Sequence, residues 1–202
     1  MEFRSIITNQ LLLRKVEQTD APFVLEGLSN DVLTKYMLIQ YYSLEEVQKQ
    51  MDYYANHYTN KTGFYWLIET LDTGKNVGVI GVNNISSTHQ KAEIGFWILP
   101  KYWQQGYTAE AAKAVLQFAF NELQLNRIEA TVETENIASI ATINKLGFKH
   151  EGTFEAIRNK QWKLYRLNDV CNIEKKLPQK FIAVLQIQLG CFVFLLQSPF
   201  YE

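Results

Sequence analysis

Residues 102–120 read YWQQGYTAEAAKAVLQFAF: an aromatic pair, two glutamines and one glycine set directly before an Ala-rich amphipathic run. Starting a helix needs only a capping residue. Gly106 adds a point where something can approach the backbone with no Cβ in the way. The first N–H groups of the following helix have no partner inside it, and with the helix dipole they suit an anion such as a pyrophosphate. The segment is neither a GxxxxGK[ST] loop nor a dinucleotide fingerprint, so phosphates here would be held mainly by backbone. A plain tight turn accounts for the same glycine. Upstream, in AEIGFWIL, Glu93 alternates with Ile94 and shares a face with Gly95 and Trp97. A carboxylate among apolar neighbours is suited to accepting a proton directly or through water; a strand glutamate facing solvent fits the same pattern. Glu133 and Glu135, before Asn136, are the reserve candidates for that role. Asn136 and Ser139 open a helix that ends at Leu146, Gly147 and Phe148, where a cap and a first-turn polar residue are the simplest reading.

These residues must be positioned by the elements around them. LLLRKV (11–16) reads as a strand, and TDAPFVLEGLSN as a helix with a Thr/Asp cap. SLEEVQKQMDYYANHY places Ser43 three residues before Glu46, the capping-box spacing, with Leu44, Val47, Met51 and Tyr54 along one face. FYWLIET, a turn at Asp72 to Gly74, NVGVIGVNNI and AEIGFWIL form an antiparallel meander. A helix over about 109–123 then precedes the strand RIEATVE, a helix over about 137–146 ends at Gly147, and strands follow around FKHEGTFE and WKLYRLNDVCNIE. Strands first and strand–helix alternation later predict an α/β fold of α+β type: a mixed, mostly antiparallel central sheet with helices on both faces.

The chain has 202 residues, 47% of them hydrophobic, enough for one sizeable core and one main domain. Lys and Arg total 20 against 21 Asp and Glu, without a basic run, so no nucleic-acid partner is expected. Cys171 and Cys191 form no CxxC pair and the three histidines are scattered, so neither a disulfide framework nor a metal site is expected. MEFRSIIT is too short and polar for a signal peptide, which makes the expected location cytoplasmic. The apolar run FIAVLQIQLGCFVFLL (181–196) falls short of the roughly 20 residues that span a bilayer. It divides the chain into a domain over 1–180 and a tail over 181–202, the tail being a packed terminal element, an appended segment or an anchor.

Together the turn Trp103, Gln104, Gln105, Gly106, Tyr107, Thr108 and Ala109 and the segment TENIASIATINKLGFKHEG resemble the GNAT superfamily of acetyl-CoA-dependent N-acetyltransferases, over most of residues 10–177. The aromatic lead and NIAS...KLGFKHEG look more like the branch that acetylates the N-termini of ribosomal proteins, which has relatives acting on polyamines and other small amines. Trp103 and Thr108 depart from the strict family turn. The resemblance implies acetyl-CoA as co-substrate, its pyrophosphate at the glycine turn, its pantetheine against splayed strands at Ile98 and Leu99, and Asn136 hydrogen-bonding the pantetheine. The amide-rich arm would add to the strand edge, and a bulge there would free an N–H for the thioester oxygen. Glu93 then becomes the base that takes the amine's proton. Many family members place a tyrosine acid where Ile143 stands here, so the resemblance passes that role to Ser139; a thiol of pKa roughly 8.5 leaves without much help. The acceptor is an amine, with a peptide α-amine favoured over a polyamine, and a non-catalytic acyl-CoA-binding module is the rival reading. No metal is implied, no membrane partner is expected, and a homodimer is left open.

Overall fold

The computed structural model describes residues 2–156 and 160–167. Eight strands form one sheet: β1 (Ile6–Ile7), β2 (Leu11–Lys15), β3 (Phe64–Thr70), β4 (Asn76–Ser86), β5 (Lys91–Ile98), β6 (Arg127–Glu133), β7 (Lys149–Ala156) and β8 (Lys160–Leu167). They lie in the order β1-β2-β3-β4-β5-β6-β8-β7. Every neighbouring pair is antiparallel except β5 with β6. The helices are α1 (Ala21–Leu28), α2 (Asp31–Thr34), α3 (Leu44–Thr59), α4 (Tyr107–Asn121) and α5 (Ile137–Lys145).

Strand alternation divides the core between the two faces. Tyr65, Leu67, Val79, Trp97 and Leu99 form one buried cluster with Val24 and Leu28 of α1 and Val47, Met51 and Tyr54 of α3. On the opposite face Trp66 and Phe64 meet Phe118 of α4, with ring centroids 5.2 and 5.6 Å away. The fold is therefore the mixed, helix-covered sheet that the element pattern predicts. One packing contact fixes α1 against the sheet. A Cβ at Gly27 would stand 2.5 and 2.6 Å from two ring carbons of Trp97, which is itself stacked on Phe23 at 5.6 Å. Because the indole is buried and already packed against Phe23, Gly27→Ala is expected to destabilise the protein by about 1–3 kcal/mol, the usual cost of overpacking. Chemical denaturation of both proteins measures this.

Local readings needed correction in several places. Asp20 does not cap α1. Its carboxylate takes two bonds from the Arg14 guanidinium, at 2.9 and 2.8 Å, and one from the Glu17 N–H, at 2.8 Å. Ser43 does cap α3, accepting from the Glu46 N–H at 3.2 Å, while the returning Glu46 carboxylate takes the Tyr42 N–H rather than that of Ser43. Leu44 is exposed, and Gln50 is buried in the face where it was expected. The short strand β1 and helix α2 carry too few residues for periodicity to reveal. Of the last expected strand, residues 168–174 lie outside the described residues, as does the tail over 181–202. Among the described residues no helix is long and apolar enough to cross a membrane, and no cluster of three potential metal ligands occurs.

Candidate active site

The opening in the sheet is the central feature. Parallel pairing of β5 with β6 covers only Lys91, Ala92 and Glu93 opposite Arg127, Ile128 and Glu129. Beyond that point β6 leans onto β8, pairing as far as Glu133 opposite Trp162. Leu99 donates its N–H to the Val77 carbonyl at 2.9 Å. Since alternate residues of an antiparallel ladder face the partner, Trp97, Gly95 and Glu93 also turn their backbone groups toward β4. Ile94, Phe96 and Ile98 turn theirs into the gap. At ~3.3 Å per residue the stretch from Glu93 to Ile98 is about 16 Å deep, room for an extended, amide-bearing chain to lie against β5 as an added strand.

Two details differ from the sequence reading. The register from Gly78 opposite Ile98 to Asn83 opposite Glu93 is unbroken, so β5 has no bulge at its end. Open backbone groups arise from the separation of β5 and β6 instead. Leu99 is committed to β4, and the Ile98 carbonyl accepts the Trp103 indole N–H at 2.7 Å. Phe96 and the Ile98 N–H are what the gap leaves available. Parity of pairing decides this, and sequence alone does not reveal parity.

At the outer end of β5 the chain passes through a single 3₁₀ turn, Pro100–Tyr102, into the glycine turn. Gln104 and Gly106 both adopt left-handed backbone, with φ of 61° and 83°. Gly106 is the N-cap of α4 and supplies no side-chain cap, and the Glu110 N–H is bonded to its carbonyl at 3.1 Å. The N–H groups of Tyr107, Thr108 and Ala109 accordingly point at the turn with no intrahelical partner. A Cβ placed on Gly106 meets nothing within 4 Å. Space, free donors and the dipole fit a diphosphate. Trp103, Gln104, Gln105 and Gly106 are exposed, with the Gln105 amide donating to the Lys101 carbonyl at 3.2 Å. Glu110 instead ties the helix to the β1–β2 turn through Thr8 and Gln10.

Asn136 caps α5, its Oδ1 accepting from the Ser139 N–H at 3.1 Å. This leaves the Asn136 Nδ2 as a donor, and Ser139 stands half-buried in the first turn. Ile143 is fully buried. Glu93 is half-buried and its Oε2 accepts from the Asn84 amide at 3.1 Å. Beside it Glu129 is bonded to Arg127 at 2.6 Å and Lys91 at 3.2 Å. Burial works against the charge of Glu129, but the bonds from Arg127 and Lys91 outweigh it and hold the carboxyl below its ordinary range. Glu133 lies buried farther along β6, and Glu135 is exposed.

The aromatic side chains of α3 and β3 divide by face: Phe64 and Trp66 meet α4, and Tyr54 and Tyr65 belong to the cluster with α1. Tyr65 donates to the Tyr53 hydroxyl at 3.2 Å and accepts from the Asn83 amide at 2.8 Å. Burial pushes the Tyr65 phenol up, and that of Tyr54 to about 12, so both stay protonated near neutral pH. Neither belongs to the open gap. A cavity of about 540 Å³, lined by segment 31–42 including Asp31, Lys35 and Tyr41, was not foreseen from the sequence. Lys35, whose ammonium is held above its usual range by Tyr36 and then by the fields of Glu135 and Glu133, brings that segment toward the end of β6.

The acetyltransferase (GNAT) domain family matches residues 10–149. Among curated relatives, the uncharacterized N-acetyltransferase YoaA of Bacillus subtilis (strain 168) is 36% identical over 151 residues, 74% of this chain and 85% of that protein. Among solved structures, the RimL ribosomal L7/L12 alpha-N-protein acetyltransferase in complex with coenzyme A shares the fold at a TM-score of 0.74 and 19% identity, covering 82% of this chain and 98% of its own. The spermidine N-acetyltransferase from Vibrio cholerae, solved with CoA and spermine, shares it at a TM-score of 0.70 and 23% identity, covering 80% and 96%.

Proposed function

The chain belongs to the acetyltransferase (GNAT) family and is an N-acetyltransferase, and on that premise we propose that it moves the acetyl group of acetyl-CoA onto the α-amine at a protein N-terminus. The observation that carries this reading is the gap between β5 and β6, which opens from Glu93 toward the glycine turn. In this reading the backbone of Trp103, Gln104, Gln105, Gly106, Tyr107, Thr108 and Ala109 holds the pyrophosphate. Phe96 and Ile98 pair with the pantetheine amides, and the Asn136 Nδ2 donates to the same arm. Glu93 accepts the proton released as the amine nitrogen bonds to the acetyl carbonyl carbon. Ser139 hydrogen-bonds the sulfur as the C–S bond breaks, and the thiolate then takes its proton from water.

The lining of the cavity over 31–42 favours an α-amine over a polyamine. Among the described residues Asp31 is the one carboxylate that lines it, together with Lys35, whereas a polycation is matched by several acidic groups. Chemistry points the same way. An α-amine has a pKa of about 7.7–8.0 against about 10.4 for an alkyl ammonium, so near pH 7 its neutral, attacking fraction is larger by roughly two orders of magnitude. With acetyl-CoA and equal concentrations of a free-N-terminus peptide, an N-blocked lysine peptide and spermidine, mass spectrometry is expected to find the first acetylated at least about tenfold faster. A faster reaction with spermidine would overturn the acceptor while leaving the transfer itself in place.

A further inference from the structure

We propose that Asn84 is the positioning residue for Glu93: a bulge in β4 re-aims its side-chain amide so that it donates to the Glu93 carboxylate and fixes its orientation at the point where β5 and β6 part. This rests on Glu93 being the base. Side chains of successive strand residues alternate, so in a regular strand Asn84 would face away from Asn83, the register partner of Glu93. The ladder is interrupted just there. Between Asn83 and Ser86 of β4 the chain has one residue more than between Glu93 and Lys91 of β5, and Asn84 takes up the excess in left-handed backbone, φ 51°. Bulges redirect side chains in this way, and asparagine is among the few residues that accept the conformation.

The result is the 3.1 Å bond from Asn84 Nδ2 to Glu93 Oε2, and among the described residues this amide is the only hydrogen-bond partner of the carboxylate. Among the described residues no cation forms an ion pair with Glu93. On β6 it faces Glu129, whose charge is already taken up by Arg127 and Lys91, the latter on β5 itself. Strand β4 carries no charged residue, and Asn83 beside it is engaged by Tyr65 of β3. A neutral donor orients the carboxylate without engaging it in an ion pair. The second oxygen, Oε1, accepts no hydrogen bond among the described residues.

The test uses the full chain and two substitutions that keep the backbone conformation accessible. Asn84→Gly tolerates positive φ and removes the donor. Asn84→Asp also tolerates it, and sets a like charge beside Glu93. In profiles of kcat against pH at saturating peptide, the acidic limb is expected to move to higher pH by about half a unit for Asn84→Gly and about one unit for Asn84→Asp, with the plateau above it within about threefold of the parent. A residue serving only the bulge would lower the whole profile or leave it unchanged. Limbs that coincide with the parent overturn the proposal. Glu93→Gln separates this from failure of the underlying reading. If that variant loses activity while the Asn84 limbs stay put, only the role of Asn84 falls, and if it stays active, the base assignment falls and the proposal with it.

Discussion

Replacing Glu93 by Gln is expected to lower the rate of acetyl transfer by roughly two to four orders of magnitude, the range of a lost general base, and to flatten the acidic limb of the pH profile. Glutamine preserves size and the contact with Asn84 but cannot take a proton. Binding of coenzyme A should stay within about twofold, because the residue lies at the inner end of the gap, away from the glycine turn. Ser139→Ala should cost much less, about tenfold in turnover with KM little changed, since a thiolate of pKa roughly 8.5 already leaves tolerably. An active Glu93→Gln variant alongside an inactive Glu133→Gln would move the base from β5 to β6, four residues beyond Glu129, the register partner of Glu93, and away from the inner end of the gap.

The second large effect concerns the glycine turn. Gly106→Val is expected to weaken coenzyme A by at least about tenfold, equivalent to about 1.4 kcal/mol, in a protein that is less stable than the parent but still folded. A Cβ at this position meets no protein atom within 4 Å, so packing in the folded protein does not forbid it. A β-branched residue at φ 83° is strained, and its methyl groups occupy the space through which a phosphate must reach the N–H groups of α4. Gln104→Gly is the control. Gln104 holds φ 61° with an exposed side chain, so glycine there should keep the affinity if backbone rather than side chain does the holding. Calorimetry with coenzyme A reads both, and unchanged affinity in folded Gly106→Val would remove the pyrophosphate from this turn.

Much of the fold could be read from local patterns because local physics settles it. The alternation in AEIGFWIL placed Glu93 and Trp97 on one face, and Asn136 and Ser43 cap their helices as their sequence positions suggest. What escaped was set by distant partners. Asp20 looks like a cap, yet Arg14 captures it in a partly buried ion pair. Whether Ile98 or Leu99 presents a free N–H depends on which residues of β4 and β5 exchange hydrogen bonds, and one position in sequence reverses the answer. Phe96 carries no signal of its own for the same reason. The consecutive pair Asn83-Asn84 before a polar turn was the available hint of a bulge, since asparagine favours left-handed backbone, but its target Glu93 could not be foreseen from one strand alone.

Acetyl transfer itself is tested most directly by incubating the full chain with acetyl-CoA, with and without a free-N-terminus peptide, and following thiol release together with the mass of the peptide. The account predicts thiol release that depends on the peptide, matched one for one by peptide carrying a single acetyl group on its α-amine. Bound acetyl-CoA with no thiol released and no amine modified, across peptides, lysine peptides and spermidine alike, would contradict it and leave a protein that holds the coenzyme without transferring its acetyl group.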